Sequence, residues 1–316
     1  MSARAKKIIL IGECMLELRA GQLLSLPLPT ELSFAGDVFN VALYIARLLK
    51  NTDQTAFYSA LGDDPFSKLM SKAWCDEGID CQFVKKINNA MPGLYLIEND
   101  AKGERHFYYY RSSSAARLML ENETEASLLS ALNHYDYIYL SGITVAILSE
   151  QHRDLLLAVL KIRRQQGCEI AFDLNYRPRL WADKKTAQAH LEQFLQTTTI
   201  ALPTLEDYAL LFEEQSVDQL TARFWQYGIT EIVIKNGLEG CYYLEADKLV
   251  HCPVVPVQNV VDTTAAGDSF NAGYLAARMQ SQSQQDSILL GQNLASVVVQ
   301  YPGAIVPACQ MPYHSL

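Results

Sequence analysis

The sequence lacks the marks of several common protein classes. Its seven cysteines (Cys14, Cys75, Cys81, Cys168, Cys241, Cys252 and Cys309) are odd in number, scattered, and without a Cys-x-x-Cys pair. That argues against a disulfide framework or a zinc site and fits a reducing cytoplasm. The six histidines form no cluster with metal-ligand spacing. No Gly-x-x-x-x-Gly-Lys-Ser/Thr string occurs, so the phosphate loop of P-loop enzymes is absent. Positive charge is short: 26 Lys and Arg face 35 Asp and Glu, for a formal net charge of −9. This argues against a nucleic-acid footprint and says little against a small anionic ligand, which local charge decides. The longest weakly charged stretch, Tyr137 to Leu148, is too short to span a bilayer. Arg4 to Leu18 runs from basic to apolar as a signal peptide does, but Glu13 and Glu17 interrupt it and no small-residue cleavage site follows. His152-Arg153-Asp154-Leu155 mimics a protein-kinase catalytic loop, yet Val159 stands where an Asn is needed. There is no internal repeat, low-complexity run or linker.

What is present reads as globular: 316 residues, 49% apolar and 19% charged. Continuous apolar runs predict buried strands at Ile8–Ile11, Thr55–Ala60, Tyr137–Leu140, Ile170–Phe172, Ile200–Leu202, Ile232–Ile234 and Cys241–Leu244. Helical spacing predicts helices over Asn40–Leu49, Pro65–Glu77, Ser149–Gln166, Lys184–Gln196, Val217–Tyr227, Ala266–Met279 and Asp286–Gln300. Their alternation predicts a mostly parallel sheet covered on both faces, with the ligand site beyond the carboxyl ends of the strands. Two segments break the rhythm. Residues 13–35 alternate leucines around two prolines, and residues 91–111 alternate around a turn at Asn99–Gly103, a hairpin pattern. They are expected to form a small antiparallel sheet lying over the main one, a lid on a single domain spanning residues 1–316.

Four loops carry candidate chemistry. In Asp262-Thr263-Thr264-Ala265-Ala266-Gly267-Asp268, the small residues let backbone amides approach a ligand at a helix start, where anions bind. Asp268 there suits a general base, and it suits a helix cap as well. In Phe34-Ala35-Gly36-Asp37-Val38-Phe39-Asn40, Gly36, Asp37 and Asn40 suit sugar hydroxyls, or else make a glycine turn and a cap. Pro92-Gly93-Leu94-Tyr95 and Tyr108-Tyr109-Tyr110-Arg111 place aromatics on the hairpin, where packing is the plain reading, and an arginine able to fork onto a carboxylate. Asp173-Leu174-Asn175-Tyr176-Arg177-Pro178-Arg179-Leu180-Trp181 follows a strand and is either a solvated loop or a place to meet anions. Lys235-Asn236-Gly237-Leu238-Glu239-Gly240 is a further glycine loop.

Taken in order, these strings resemble the ribokinase-like (phosphofructokinase-B type) sugar kinases. Asp-Thr-x-Ala-Ala-Gly-Asp is similar to the family's C-terminal signature, Gly36 to Asn40 to its Gly-Gly-x-x-x-Asn element with Ala35 for the first glycine, and Lys235 to Gly240 to its nucleotide loop. The resemblance runs from about Ile8 to Val306. It implies a three-layer α/β/α sandwich with a mostly parallel central sheet and a small β lid. It implies transfer of the ATP γ-phosphate with Mg²⁺, a monovalent cation being an open addition. Asp268 would be the base, and the amides of Ala265, Ala266 and Gly267 the anion hole. Gly36, Asp37, Asn40 and Asp262 would orient hydroxyls. Asn175, Lys235, Gly237 and Gly240 would serve the nucleotide together with Ala265 and Gly267. Members acting on fructose or on 2-keto-3-deoxygluconate carry a segment similar to Asp173–Trp181, which puts Arg177 near substrate and phosphate. Among these, a keto sugar acid fits best, held by Tyr95, Tyr109, Tyr110 and Arg111, because a neutral sugar would leave Arg111 unpaired. A neutral-sugar kinase and a non-catalytic sugar binder are the alternatives. The family's Asn-x-x-Glu is replaced by Thr204 and Asp207, so no direct metal ligand is assigned and Mg²⁺ is expected to be held through phosphates and water. The expected partners are the sugar acid, ATP and a second copy of the chain docked through the lid, without nucleic acid or membrane.

Overall fold

Ile8 and Leu10 face one apolar cluster, Ile9 and Ile11 another, and all four are fully buried. A strand with both faces covered must lie inside a sheet flanked by two helical layers. The computed structural model describes residues 4–20, 27–50, 54–99, 105–246 and 248–312. Along the chain run β1 (Ile8–Ile11), β2 (Met15–Arg19), β3 (Glu31–Ala35), α1 (Asp37–Leu49), β4 (Thr55–Leu61), α2 (Pro65–Asp76), β5 (Val84–Lys86), β6 (Leu94–Asn99), β7 (Arg105–Tyr110), α3 (Glu125–Leu132), β8 (Tyr137–Ser141), α4 (Gly142–Ile147), α5 (Glu150–Gln165), β9 (Glu169–Asp173), α6 (Lys184–Leu195), β10 (Ile200–Ala201), α7 (Leu205–Phe212), α8 (Val217–Gln226), β11 (Glu231–Lys235), β12 (Cys241–Glu245), β13 (Lys248–Cys252), α9 (Ala266–Met279) and α10 (Gln284–Val298).

The main sheet has the order β13-β12-β11-β10-β9-β8-β1-β4-β5. It is parallel from β11 to β5, and β12 and β13 add an antiparallel edge. Val41 of α1, Trp74 of α2, Leu275 of α9 and Leu294 of α10 pack on one face. Leu128 of α3, Leu156 of α5, Leu191 of α6, Leu211 of α7 and Leu220 of α8 pack on the other. The expected sandwich is therefore present, and each continuous apolar run is a strand.

The second sheet, β3-β2-β6-β7, is the expected lid with one correction. β2 pairs antiparallel with β3 and β6 with β7, but β2 and β6 run parallel, Leu16 opposite Leu94 and Arg19 opposite Ile97. Alternation shows that a segment is half-buried but carries no direction, so two hairpin-like segments did not reveal how they join. The turn anticipated at Asn99–Gly103 falls almost wholly outside the described residues. Three helices were not anticipated. α4 starts directly at the end of β8 with an apolar Gly-Ile-Thr-Val-Ala-Ile run, and such a run has no polar stripe to betray a helix. α3 and α7 are eight residues each, short for a periodic signal.

α9 and α10 touch through glycines. A Cβ on Gly273 would lie 2.8 Å from Gly291 Cα and 2.9 Å from Leu290 O, backbone that cannot rotate away. Gly273→Ala is expected to cost about 1–3 kcal/mol of stability through overpacking. Because α9 also carries Asp268, the base that the resemblance implies, turnover should fall with it. An unchanged urea midpoint followed by circular dichroism would show that the two helices are not locked at this contact.

Candidate active site

The parallel strands end on polar side chains at one edge of the molecule. β1 runs into Gly12 and Glu13, β8 ends at Ser141, β9 at Asp173 and β11 at Lys235. The starts of α1 and α9 stand over these ends. They are joined by Asn40 Nδ2, which donates to Asp268 Oδ2 at 2.8 Å across 228 residues of sequence. That bond is the only hydrogen bond to the Asp268 carboxylate among the described residues. Burial, reinforced by the negative charge of Asp37 and then Asp173, pushes the Asp268 carboxyl up to about 7 against the opposing effects of Asn40 and Lys235. It keeps a partly exposed edge through which a substrate can reach it.

The loop before α9 is shaped for an anion. Ala265 is left-handed, at φ 61° and ψ 15°, a conformation that strains a residue with a Cβ. No side chain caps the helix, so Asp268 is not its cap. Among the described residues the amides of Ala265, Gly267 and Asp268 have no partner. The amide of Ala266 donates to Thr263 O at 3.2 Å, which takes it out of the expected anion hole and leaves the amides on either side of it open. Asp262, expected near sugar hydroxyls, fastens this loop: its Oδ1 accepts from Thr264 N at 2.8 Å and its Oδ2 from Gly303 N at 2.6 Å.

Beneath the loop lies a buried polar network. Asp37 Oδ2 accepts from Ser141 Oγ at 2.5 Å and from Asn175 Nδ2 at 3.0 Å, and burial raises its carboxyl above the usual range. Asn175, expected at the nucleotide, is thus bonded to Asp37 instead, with φ 32°. Asp173 Oδ2 accepts from Lys235 Nζ at 2.8 Å and from Asn271 Nδ2 at 2.7 Å; Lys235 also donates to Asn271 Oδ1 at 3.0 Å. Lys235 therefore turns its ammonium under α9, away from Gly237, which is exposed. Gly240, at φ 92°, is required by its turn, and a Cβ there would strike Cys252 O at 2.2 Å. No motif marks Asn271, although its position one helical turn after Asp268 signals a shared face.

The lid presents Tyr95, Phe107 and Tyr109 on one face, with the rings of Tyr95 and Tyr109 5.8 Å apart. Tyr110, expected beside them, points to the opposite face and is 67% exposed, because neighbours on a strand alternate. Tyr95 donates its hydroxyl to Glu17, which also accepts from Arg19 and Ser33. Arg111 is buried and donates to Glu13, itself buried, whose carboxyl burial pushes up and Arg111 pulls back. The expectation that a neutral substrate would leave Arg111 unpaired is thus overturned: Glu13 balances it within the protein. A lone acid directly after a wholly apolar strand was the available signal. Arg177 pairs with Asp207 at 2.9 Å, and Thr204 accepts the Asp207 amide at 3.0 Å to cap α7. Arg179 is exposed and has no acid partner among the described residues. With His106, Phe107, Tyr108 and Tyr109 it lines a cavity of about 410 Å³.

Known proteins resemble this chain. The chain is 44% identical over 312 residues to 2-dehydro-3-deoxygluconokinase of Escherichia coli K12, covering 98% of this chain and 99% of the relative. It is 43% identical to the Dickeya dadantii protein of the same name, covering 97% and 99%. An E. coli ribokinase II solved with ATP and Mg²⁺ has the same fold, with a TM-score of 0.81 at 21% identity, covering 95% of this chain and 94% of that one. Residues 5–310 match the pfkB family carbohydrate kinase description. With that match spanning the sheet, the lid and the loop before α9, the chain belongs to the pfkB family of carbohydrate kinases.

Proposed function

We propose that this chain transfers the γ-phosphate of ATP to the terminal hydroxyl of 2-dehydro-3-deoxy-D-gluconate, giving the 6-phosphate, and that residues 1–316 act as one cytoplasmic kinase unit. The carrying observation is Asp268: a carboxyl raised to about 7, bonded once among the described residues, beside amides with no partner among them. A base with that affinity for protons suits abstraction from an alcohol near neutral pH. Phosphoryl transfer otherwise asks for positioning and charge neutralisation. The substrate hydroxyl meets Asp268, which takes its proton as the oxygen attacks phosphorus. The amides of Gly267 and Asp268 meet the phosphoryl oxygens. Mg²⁺ carried on the ATP phosphates supplies further neutralisation of their charge. Asn40 fixes the base, and the aromatic lid face excludes water that would otherwise accept the phosphate.

The acid end of the substrate belongs under the lid. Three arginines, Arg111, Arg177 and Arg179, act on Tyr109. Glu13 and Asp207 balance two of them and leave Arg179 in surplus, which suits a carboxylate and is wasted on a neutral sugar. The outer lid face exposes Leu32, Tyr108 and Tyr110 by 45, 46 and 67%, which supports a second copy docked there.

Activity, mass and melting measurements test this reading. In a coupled ADP-release assay across 2-dehydro-3-deoxygluconate, its galactonate epimer, fructose, ribose and gluconate, kcat/KM should be highest for a keto acid. Arg179→Ala should lower that value about ten- to a hundredfold, the worth of a charge-assisted hydrogen bond, without changing the value for neutral sugars. A preference for fructose in the unmutated enzyme would refute the substrate assignment. Light scattering at micromolar concentration should give more than the monomer mass, and a monomer would remove the lid-to-lid contact. Asp268→Asn should lower kcat by about 10²–10⁴ with ATP still bound. Wild-type kcat/KM should rise with pH through about 7 as the base loses its proton. The folded state holds that proton to about 7 while the unfolded chain releases it near 3.8, so ionisation costs stability as pH rises between them. The asparagine variant should therefore melt higher than wild type at pH 8 and lose that advantage toward pH 4. An equal or lower Tm at pH 8 with near-normal kcat would mean that another group is the base.

A further inference from the structure

Lys235 carries a donor that the fold leaves unused. An ammonium has three N–H groups. Asp173 Oδ2 takes one at 2.8 Å and Asn271 Oδ1 another at 3.0 Å. The third has no acceptor among the described residues, although only 10% of the side chain is exposed. Its surroundings point upward, to the loop before α9. The nearest heavy atom to a Cβ built on Gly267 would be Lys235 Nζ, at 3.5 Å. That distance is ordinary contact, and Gly267 has no positive φ, so neither crowding nor backbone geometry demands glycine here. What a methyl group would do is cover the ammonium. Charge points the same way. Asp37, Asp173 and Asp268 cluster under the loop, and a phosphoryl group arriving beside them meets like charge; Arg111 is occupied by Glu13 on the lid side. Arg177, which also acts on Asp37 and Asp173, is paired with Asp207, and among the described residues Lys235 is the cation that lies against Gly267.

We propose that Lys235 is a further catalytic residue: held by Asp173 and Asn271, it donates its remaining N–H to the phosphoryl group in transit over Gly267. The proposal rests on the reading of that loop as the phosphoryl site. Lys235 forms no covalent bond and gives up no proton; the hydroxyl proton goes to Asp268, the new P–O bond forms to the sugar, and the old one breaks to release ADP.

The test uses full-length enzyme, ATP-Mg²⁺ and whichever sugar the wild type phosphorylates best. Lys235→Met should lower kcat about 10²–10³-fold, as loss of one oxyanion-hole donor does, with a smaller change in the Kd for ATP by calorimetry. Because that variant strands a buried carboxylate, Asp173→Asn/Lys235→Met is made beside it. The pair should recover Tm without recovering kcat. Gly267→Ala should lower kcat in the wild-type background and have little further effect in the Lys235→Met background, the two losses being one interaction. Recovery of kcat together with Tm in the double variant would reduce Lys235 to a structural partner of Asp173 and overturn the proposal, as would additive losses for Gly267→Ala and Lys235→Met. A wild type inactive on every sugar would instead overturn the reading of the loop on which the proposal stands.

Discussion

Buried negative charge is the constraint on which this end of the molecule is built. Glu13, Asp37, Asp173 and Asp268 stand within a few residues of strand and helix ends that the parallel sheet brings side by side. An uncompensated buried charge destabilises a fold by several kcal/mol. Each acid is therefore met, but by different means. Glu13 has the guanidinium of Arg111. Asp173 has an ammonium, an amide side chain and the Asn175 backbone N–H. Asp37 has a hydroxyl and an amide side chain. Asp268 has one neutral donor, Asn40. The gradient from full to minimal satisfaction separates acids that hold structure from one that can take a proton. Pairs of carboxyls pushed apart by their environments are how acid and base roles are divided at neutral pH.

The same constraint explains why distant segments must meet. Asp268 sits on α9 and its donor on α1, so the proposed base is formed only when these helices pack together. Their packing is fixed by apolar burial on one face of the sheet, where Val41, Tyr44, Tyr274 and Leu275 are fully buried. The Tyr44 hydroxyl donates to Ala304 O at 2.7 Å and ties the C-terminal segment to the same place. Gly303, next to it, caps Asp262 and so sets the loop that precedes α9. The geometry around Asp268 is thus an output of the hydrophobic core on that side and not of any local motif.

That division is why some of the protein was legible in its sequence and some was not. Strand positions were legible because burial on both faces demands continuous apolar runs, as in Ile8–Ile11 and Ile232–Ile234, and Ala266–Met279 was legible as a helix at both ends. Asp268, Asn40 and Lys235 were marked by motifs, since backbone loops need small residues at fixed spacing. The side chains that complete them were not. Asn271 under Lys235, Glu13 on Arg111 and Asp207 on Arg177 are partners across 36, 98 and 30 residues. Nothing in local spacing announces such pairs, and their effect is to change what the marked residue does: Arg111 is a balanced charge, and Lys235 faces α9. The parallel pairing inside the lid was hidden for a related reason, since period-two alternation is the same in either direction.

Local charge, finally, runs against the total. The chain carries a formal −9, yet the lid side of the cleft gathers arginines around Tyr109. Two of the three are matched to acids in place, which lets them be buried or half-buried without a ligand. Matching all three would leave no electrostatic reason for an acid substrate to bind. Matching none would leave the empty site costly to fold. One cation in surplus on the exposed rim, with balanced pairs behind it, satisfies both demands. On the proposed reading it attracts a carboxylate while the acidic remainder of the surface repels anions that cannot also use the lid's aromatic face.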